Sequence, residues 1–220
     1  MSGTIFVINP NSTEAVTAGI DKAVEPLRSS DGPAIECLTL VEGPPGIQSQ
    51  RDVDGVIGPL LKRAAGLENE AAAFVVACFS DPGMHALREQ SRRPVLGIAE
   101  SGVLQALTLG QRFGVIAILP TSIPRHLRYF GAMGVMARFA GDLSIGMGVT
   151  ELSNEEKTLE RMTATAKTLR DVHHADVVVM GCAGMARFRR PLEEALGIPV
   201  VEPTQAATAM AVGRVRLAAA

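Results

Sequence analysis

Ala71-Ala72-Ala73-Phe74-Val75-Val76-Ala77-Cys78-Phe79-Ser80-Asp81-Pro82-Gly83 and, later, Val177-Val178-Val179-Met180-Gly181-Cys182-Ala183-Gly184-Met185 share one design: an apolar run, a cysteine, then small or turn-forming residues. An unbroken apolar run of strand length bounded by turn signals is what a strand buried on both faces of a parallel sheet requires. Ligands bind just beyond the carboxyl ends of such strands, so each thiol is expected to face a crevice. A helix starting after each cysteine would present free N–H groups and its positive dipole end. That predicts thiol pKa values below the free value of about 8.5. Either cysteine alone reads equally well as a small buried hydrophobe. Two in matching contexts point to function.

Working outward, both halves follow one order. The first predicts strands over 3–8, 35–40, 71–77 and 95–98, the second over 113–119, 143–149, the run before Cys182, and 199–201. Pro10-Asn11-Ser12 turns the first strand into a helix and Pro120-Thr121-Ser122 does the same in the second half. Pro10 precedes Cys78 by 68 residues and Pro120 precedes Cys182 by 62; Glu100 follows Cys78 by 22 and Glu202 follows Cys182 by 20. These intervals suggest a duplicated unit. Four strand–helix units per half predict an α/β fold of two similar parallel-sheet lobes, related by a pseudo-twofold, with the site in the cleft between them.

Local signals fill in the rest. Asp52 or Asp54 is expected to cap a helix that Pro59 kinks or shortens. Pro82 suits the first turn of the helix after Cys78, with Asp81 as its cap. Ser153-Asn154-Glu155-Glu156 reads as a capping box, and the last helix is capped near Thr204.

Composition removes several functions. Among 220 residues the net charge is -2, which lacks the basic footprint of a nucleic-acid binder, and 4% aromatics leave few platforms for stacking bases. Apolar runs fall short of the roughly 18 residues of a membrane span. Met1-Ser2-Gly3-Thr4 leads straight into a strand with no basic n-region, so a cytoplasmic location is expected. Three cysteines, an odd count, argue for reduced thiols. We expect a homo-oligomer acting on a small molecule, without nucleic acid or membrane partners.

Two thiols facing each other across a cleft suit racemisation next to a carbonyl: one removes a proton from one face and the other returns a proton to the opposite face. Mutual repulsion favours a half-ionised pair, and backbone N–H groups after each cysteine can stabilise the developing oxyanion. The scheme asks for no cofactor. No His, Cys and carboxylate cluster has metal-ligand spacing, no Gly-x-Gly-x-x-Gly run follows the first strand, and no Gly-x-Ser-x-Gly elbow appears.

Val7-Ile8-Asn9-Pro10-Asn11-Ser12-Thr13, Cys78-Phe79-Ser80-Asp81-Pro82-Gly83 and Gly181-Cys182-Ala183-Gly184-Met185 closely resemble the hydantoin and allantoin racemase branch of the aspartate/glutamate racemase superfamily. The resemblance implies two α/β lobes with Cys78 and Cys182 as the acid/base pair. It implies substrate contacts from Asn11, Ser12, Phe79, Ser80, Thr121, Ser122, Ala183 and Gly184. It also implies that residues 1–100 and 205–220 form lobe one and 101–204 lobe two. Gln48 stands where an acidic residue is expected. Phe79-Ser80 and Ala183-Gly184 replace the Asn-Thr and Thr-His of amino-acid racemases, predicting a less polar, histidine-free pocket suited to a neutral ring. An amino-acid racemase, a maleate-type isomerase and a non-catalytic small-molecule binder stay open as alternatives.

Outside the cysteine motifs, Cys37 reads as core. His85 is expected two turns down a helix and away from the strand end. His126 could reach a cleft but reads first as a solvated or capping side chain. Arg187, Arg189 and Arg190 read as a solvated face, with a substrate-carboxylate anchor as the sharper alternative.

Overall fold

Side chains alternate across a strand, so a strand whose residues are all apolar must be covered on both faces. β1 (Thr4–Asn9) shows this directly. Ile5 and Val7 pack on one side with Ala73 and Val75, while Phe6 and Ile8 pack on the other with Phe74 and Val76. The computed structural model describes residues 3–219; the expected run of Met1-Ser2 into the first strand, and Ala220 of the returning segment, lie outside the described residues.

The chain proceeds through α1 (Glu14–Val24), β2 (Ala34–Thr39), α2 (Gln50–Gly55), α3 (Ile57–Leu67), β3 (Ala71–Val76), α4 (Met84–Gln90), β4 (Val95–Gly97) and α5 (Ile98–Leu109). The second series is β5 (Phe113–Ala117), α6 (Ile123–Met133), β6 (Phe139–Ser144), α7 (Glu155–Asp171), β7 (Val177–Met180), α8 (Arg189–Leu196), β8 (Val200–Val201) and α9 (Pro203–Ala219). The strands form two four-stranded sheets of orders β2-β1-β3-β4 and β6-β5-β7-β8, every pairing parallel. The second order repeats the first, as the duplicated sequence pattern predicts. Among the described residues, no helix is long and apolar enough to cross a membrane.

Two helices tie the sheets together. α5 leaves the first sheet at β4 and lays Ala99, Val103 and Ala106 against Phe113, Val115 and Val177 of the second. α9 leaves β8 and returns, placing Ala207 and Ala211 among Ile5, Val7, Ala73 and Val75.

Local expectations are corrected in four places. The strand expected over 143–149 lies earlier, at Phe139–Ser144, and Gly146 beyond it takes a left-handed conformation (φ 64°) that interrupts the extended backbone. Ile145, Met147 and Val149 are still buried, so their alternation reports burial without a strand. The helix cap expected from Asp52 or Asp54 is Ser49, whose hydroxyl accepts from Asp52 N while Asp52 Oδ2 accepts from Ser49 N. The break between α2 and α3 falls at Val56, leaving Pro59 in a first turn where its missing N–H costs nothing. The cap of α7 is Asn154, accepting from Lys157 N, and Ser153 belongs to the preceding 3₁₀ turn.

Candidate active site

Cys78 lies two residues beyond β3 and Cys182 two beyond β7, at the carboxyl ends of the central strands of the two sheets. Both thiols line one small cavity together with Asn11, Phe79, Ser80, Ser122, Ala183 and Gly184. Ser12 and Thr121 do not line it. Ser12 is held by its backbone to Pro44 O, and Thr121 is exposed with its hydroxyl 3.4 Å from Gln48 O. Gln48 thus meets the second lobe through its main chain.

The asparagines of the first turn build its shape. Asn9 Nδ2 donates to Asn11 Oδ1 and to Thr17 Oγ1, both at 3.0 Å, and Asn11 Oδ1 also accepts from Thr13 N at 2.9 Å. Asn11 is buried within this network and lines the cavity, while Thr13 at the start of α1 makes no side-chain cap.

Sequence reasoning missed Arg125 and set His126 aside, yet both line the same cavity. Arg125 Nη1 donates to Thr121 O (2.9 Å) and Gln48 O (3.3 Å), and Nη2 to Ser122 Oγ (3.3 Å); buried Nε has no partner. His126 is 3% exposed, and its Nδ1 donates to Asp142 Oδ2 at 2.7 Å. Its ring meets that of Phe79 edge to face, 5.2 Å between centroids. The expectation of a solvated His126 and a histidine-free pocket is therefore wrong. The first turn of α6 faces inward, with Arg125 and His126 on the cavity wall. Prolines at 120 and 124 mark the turn in sequence, but not which way it faces.

The expected lowering of the thiols is also corrected. Cys182 is pushed up to about 11, chiefly by burial and also by the Glu202 carboxylate, against a hydrogen bond from Gly184 N–H. Cys78 is pushed up further still, by burial and by charge on Cys182 and Asp81, with Ser80 N–H and Arg125 opposing. Desolvation outweighs the N–H groups because each sulfur meets solvent only through the narrow cavity and no full helix dipole points at it. Cys182 caps a 3₁₀ turn (Ala183–Phe188), and α4 starts only at Met84.

Asp81, expected to cap the helix beside Pro82, caps a different one. Its carboxylate accepts from Ala99 N and Glu100 N, both at 2.9 Å, and from Tyr129 Oη at 2.6 Å. Gly97 makes room for it: a Cβ there would overlap the Asp81 carboxylate. Burial raises Asp81 to about 6 despite these donors. α4 begins after Gly83, with Pro82 outside it.

Other candidates lie elsewhere. Arg187 pairs with Glu155 at 3.0 Å and sits over the Phe188 ring, and Arg189 pairs with Glu193 at 3.2 Å; none of Arg187, Arg189 and Arg190 lines the thiol cavity. His85 is exposed at the start of α4 rather than two turns down it. Cys37 is half-buried on the edge strand β2.

Residues 5–211 match the family described as Asp/Glu/Hydantoin racemase. A hydantoin racemase of Pseudomonas sp. (strain NS671) is 37% identical over 203 residues, covering 90% of this chain and 80% of its own. Among solved structures, allantoin racemase from Pseudomonas fluorescens superposes with a TM-score of 0.90 at 25% identity, covering 98% of this chain and 92% of that one. Allantoin racemase from Klebsiella pneumoniae gives 0.88 at 29%, covering 99% and 89%. The chain belongs to the Asp/Glu/hydantoin racemase family and is an isomerase of the racemase type.

Proposed function

We propose that this racemase inverts the C5 centre of a 5-substituted hydantoin or an allantoin-like ring by proton transfer between Cys78 and Cys182. The observation that carries the reading is the convergence of two thiols, one from each lobe, on one cavity where charge on Cys182 raises the cost of ionising Cys78. In the reacting state such a pair carries one negative charge, and the less strongly raised thiol, Cys182, is the one that ionises first.

In one direction Cys182 as thiolate takes the C5 proton, electron density moves to the adjacent carbonyl oxygen, and Cys78 as thiol delivers a proton to the opposite face. The reverse direction exchanges the roles. Arg125 Nε, a buried N–H without a partner, supplies a donor for the developing oxyanion. Burial raises both thiols toward the weakly acidic C–H they must deprotonate, since a stronger thiolate base narrows that gap.

The walls favour a neutral ring over a free amino acid. Among the described residues lining the cavity there is no Asp or Glu to meet an α-ammonium group, while Arg125 and backbone N–H groups face it. The lobes in this reading are residues 1–100 with 205–220, and 101–204, which the return of α9 onto the first sheet supports.

The test is racemisation in heavy water of single enantiomers of a hydantoin, allantoin, aspartate and glutamate. Ring substrates should invert with one deuteron incorporated at the inverted centre. Inversion of the amino acids alone would move the assignment to an amino-acid racemase, and binding without any exchange would make the chain a non-catalytic binder.

A further inference from the structure

The thiol cavity holds about 30 Å³, room for a water molecule or two and not for a ring substituent. A second cavity of about 260 Å³ adjoins it in the groove between α2, α5 and α6, sharing Phe79, Ser80, Arg125 and His126 as a common wall. We propose that this groove is the subsite for the C5 substituent and that it selects an apolar group of single-ring size. The inference rests on the hydantoin reading above and adds to it the class of substituent.

Three observations argue for this occupant. The floor is aromatic and aliphatic: Phe79 lies edge to face with Phe130 at 6.5 Å, beside Val53 and Ala99. Edge-to-face geometry of this kind accepts another aryl ring. The size is right for one ring on a short linker, since pockets for larger drug-sized molecules run from about 300 to 1,000 Å³. At the rim, Arg128 donates to Gln50 Oε1 at 2.8 Å, tying α6 to α2 and leaving guanidinium faces that stack on aryl groups. Phe79 is the aromatic member of the wall that both spaces share.

Allantoin carries a polar ureido group at the same carbon, and a carboxyalkyl hydantoin carries an anion that the two arginines would attract. Both are outcomes of the experiment. kcat/KM is measured for 5-benzylhydantoin, 5-methylhydantoin, allantoin and 5-(2-carboxyethyl)hydantoin in the wild type and in Ala132→Phe and Val53→Phe. Ala132 is exposed on the rim, so its variant keeps the fold even where Val53→Phe does not. The benzyl compound should exceed each of the others at least about tenfold, a typical yield of a fitted apolar pocket. Ala132→Phe should lower the benzyl-to-methyl ratio at least tenfold. Faster turnover of allantoin or the carboxyethyl compound, or an unchanged ratio in Ala132→Phe, overturns the subsite while leaving the hydantoin reading intact. Absence of turnover with every ring compound overturns that reading itself.

Discussion

The two lobes repeat one strand order but not one set of residues, and the helix that follows the fourth strand shows the difference. In the second lobe Glu202 stands directly before α9, and its carboxylate accepts from Thr204 N and Gln205 N. The equivalent place before α5 is Gly97, which has no side chain, and Asp81 reaches in from the Cys78 loop to do the same work. Glu100, which sequence spacing pairs with Glu202, instead binds Arg88. The electrostatic task, a carboxylate on the free N–H groups of a helix start, is kept while the residue performing it has moved. One result is a thiol neighbourhood that differs between lobes, with Asp81 adding to the cost of ionising Cys78 and Arg125 offsetting part of it.

The largest effect should come from removing either thiol. Cys78→Ser and Cys182→Ser should each lower net racemisation at least about 10³-fold, within the range of general acid–base contributions. Deuterium wash-in should survive in each variant only for the enantiomer whose C5 proton faces the remaining thiol, so the two variants should retain opposite enantiomers. Full racemisation in either one removes that cysteine from the mechanism.

Arg125→Leu comes next, with a fall in kcat of about 10²-fold from loss of one oxyanion donor. Its alkaline limb should shift upward, because the guanidinium favours the Cys78 thiolate. A rise in KM with unchanged kcat would show that Arg125 only binds.

Asp81 tests the relocated cap through stability. Its folded pKa of about 6 lies above the ordinary 3.8, so the native state binds its proton more tightly than the unfolded chain. Stability should therefore fall by about 3 kcal/mol as pH rises from below 3.8 to above 6. Asp81→Asn should flatten that part of the curve in urea titrations; an unaltered slope assigns the pH dependence elsewhere.

The smallest effect is in reactivity. Iodoacetamide should label Cys182 faster than Cys78 by about tenfold, since the thiolate is the nucleophile and Cys182 ionises first. Peptide mapping after brief labelling reads the ratio, and preferential labelling of Cys78 would reverse the order in which the two thiols ionise.

What the sequence made legible was local. Cys78 and Cys182 stand at the ends of apolar runs, and strand periodicity locates such ends well. Arg125 and His126 were harder to place because helical spacing separates a buried face from an exposed one without saying whether the buried face meets core or cleft. Asp81 was assigned to its own neighbouring helix, whereas its partners at Ala99, Glu100 and Tyr129 are distant in sequence and brought near only by folding. The rise of the thiol pKa values escaped for the same reason. The donors at Ser80 and Gly184 are adjacent in sequence, while the burial that outweighs them comes with packing against residues far away in the chain, Cys78 with the cluster of Ile8 and Leu40 and Cys182 with that of Ile116 and Met147.

The return of α9 has a consequence for how the chain is made. Ala207 and Ala211 share with Ile20 and Val24 of α1 the covering of Ile5, Val7, Ala73 and Val75, so part of one side of the first sheet stays wet until α9 leaves the ribosome. A nascent chain stalled before Pro203 should therefore expose that aliphatic surface to chaperones.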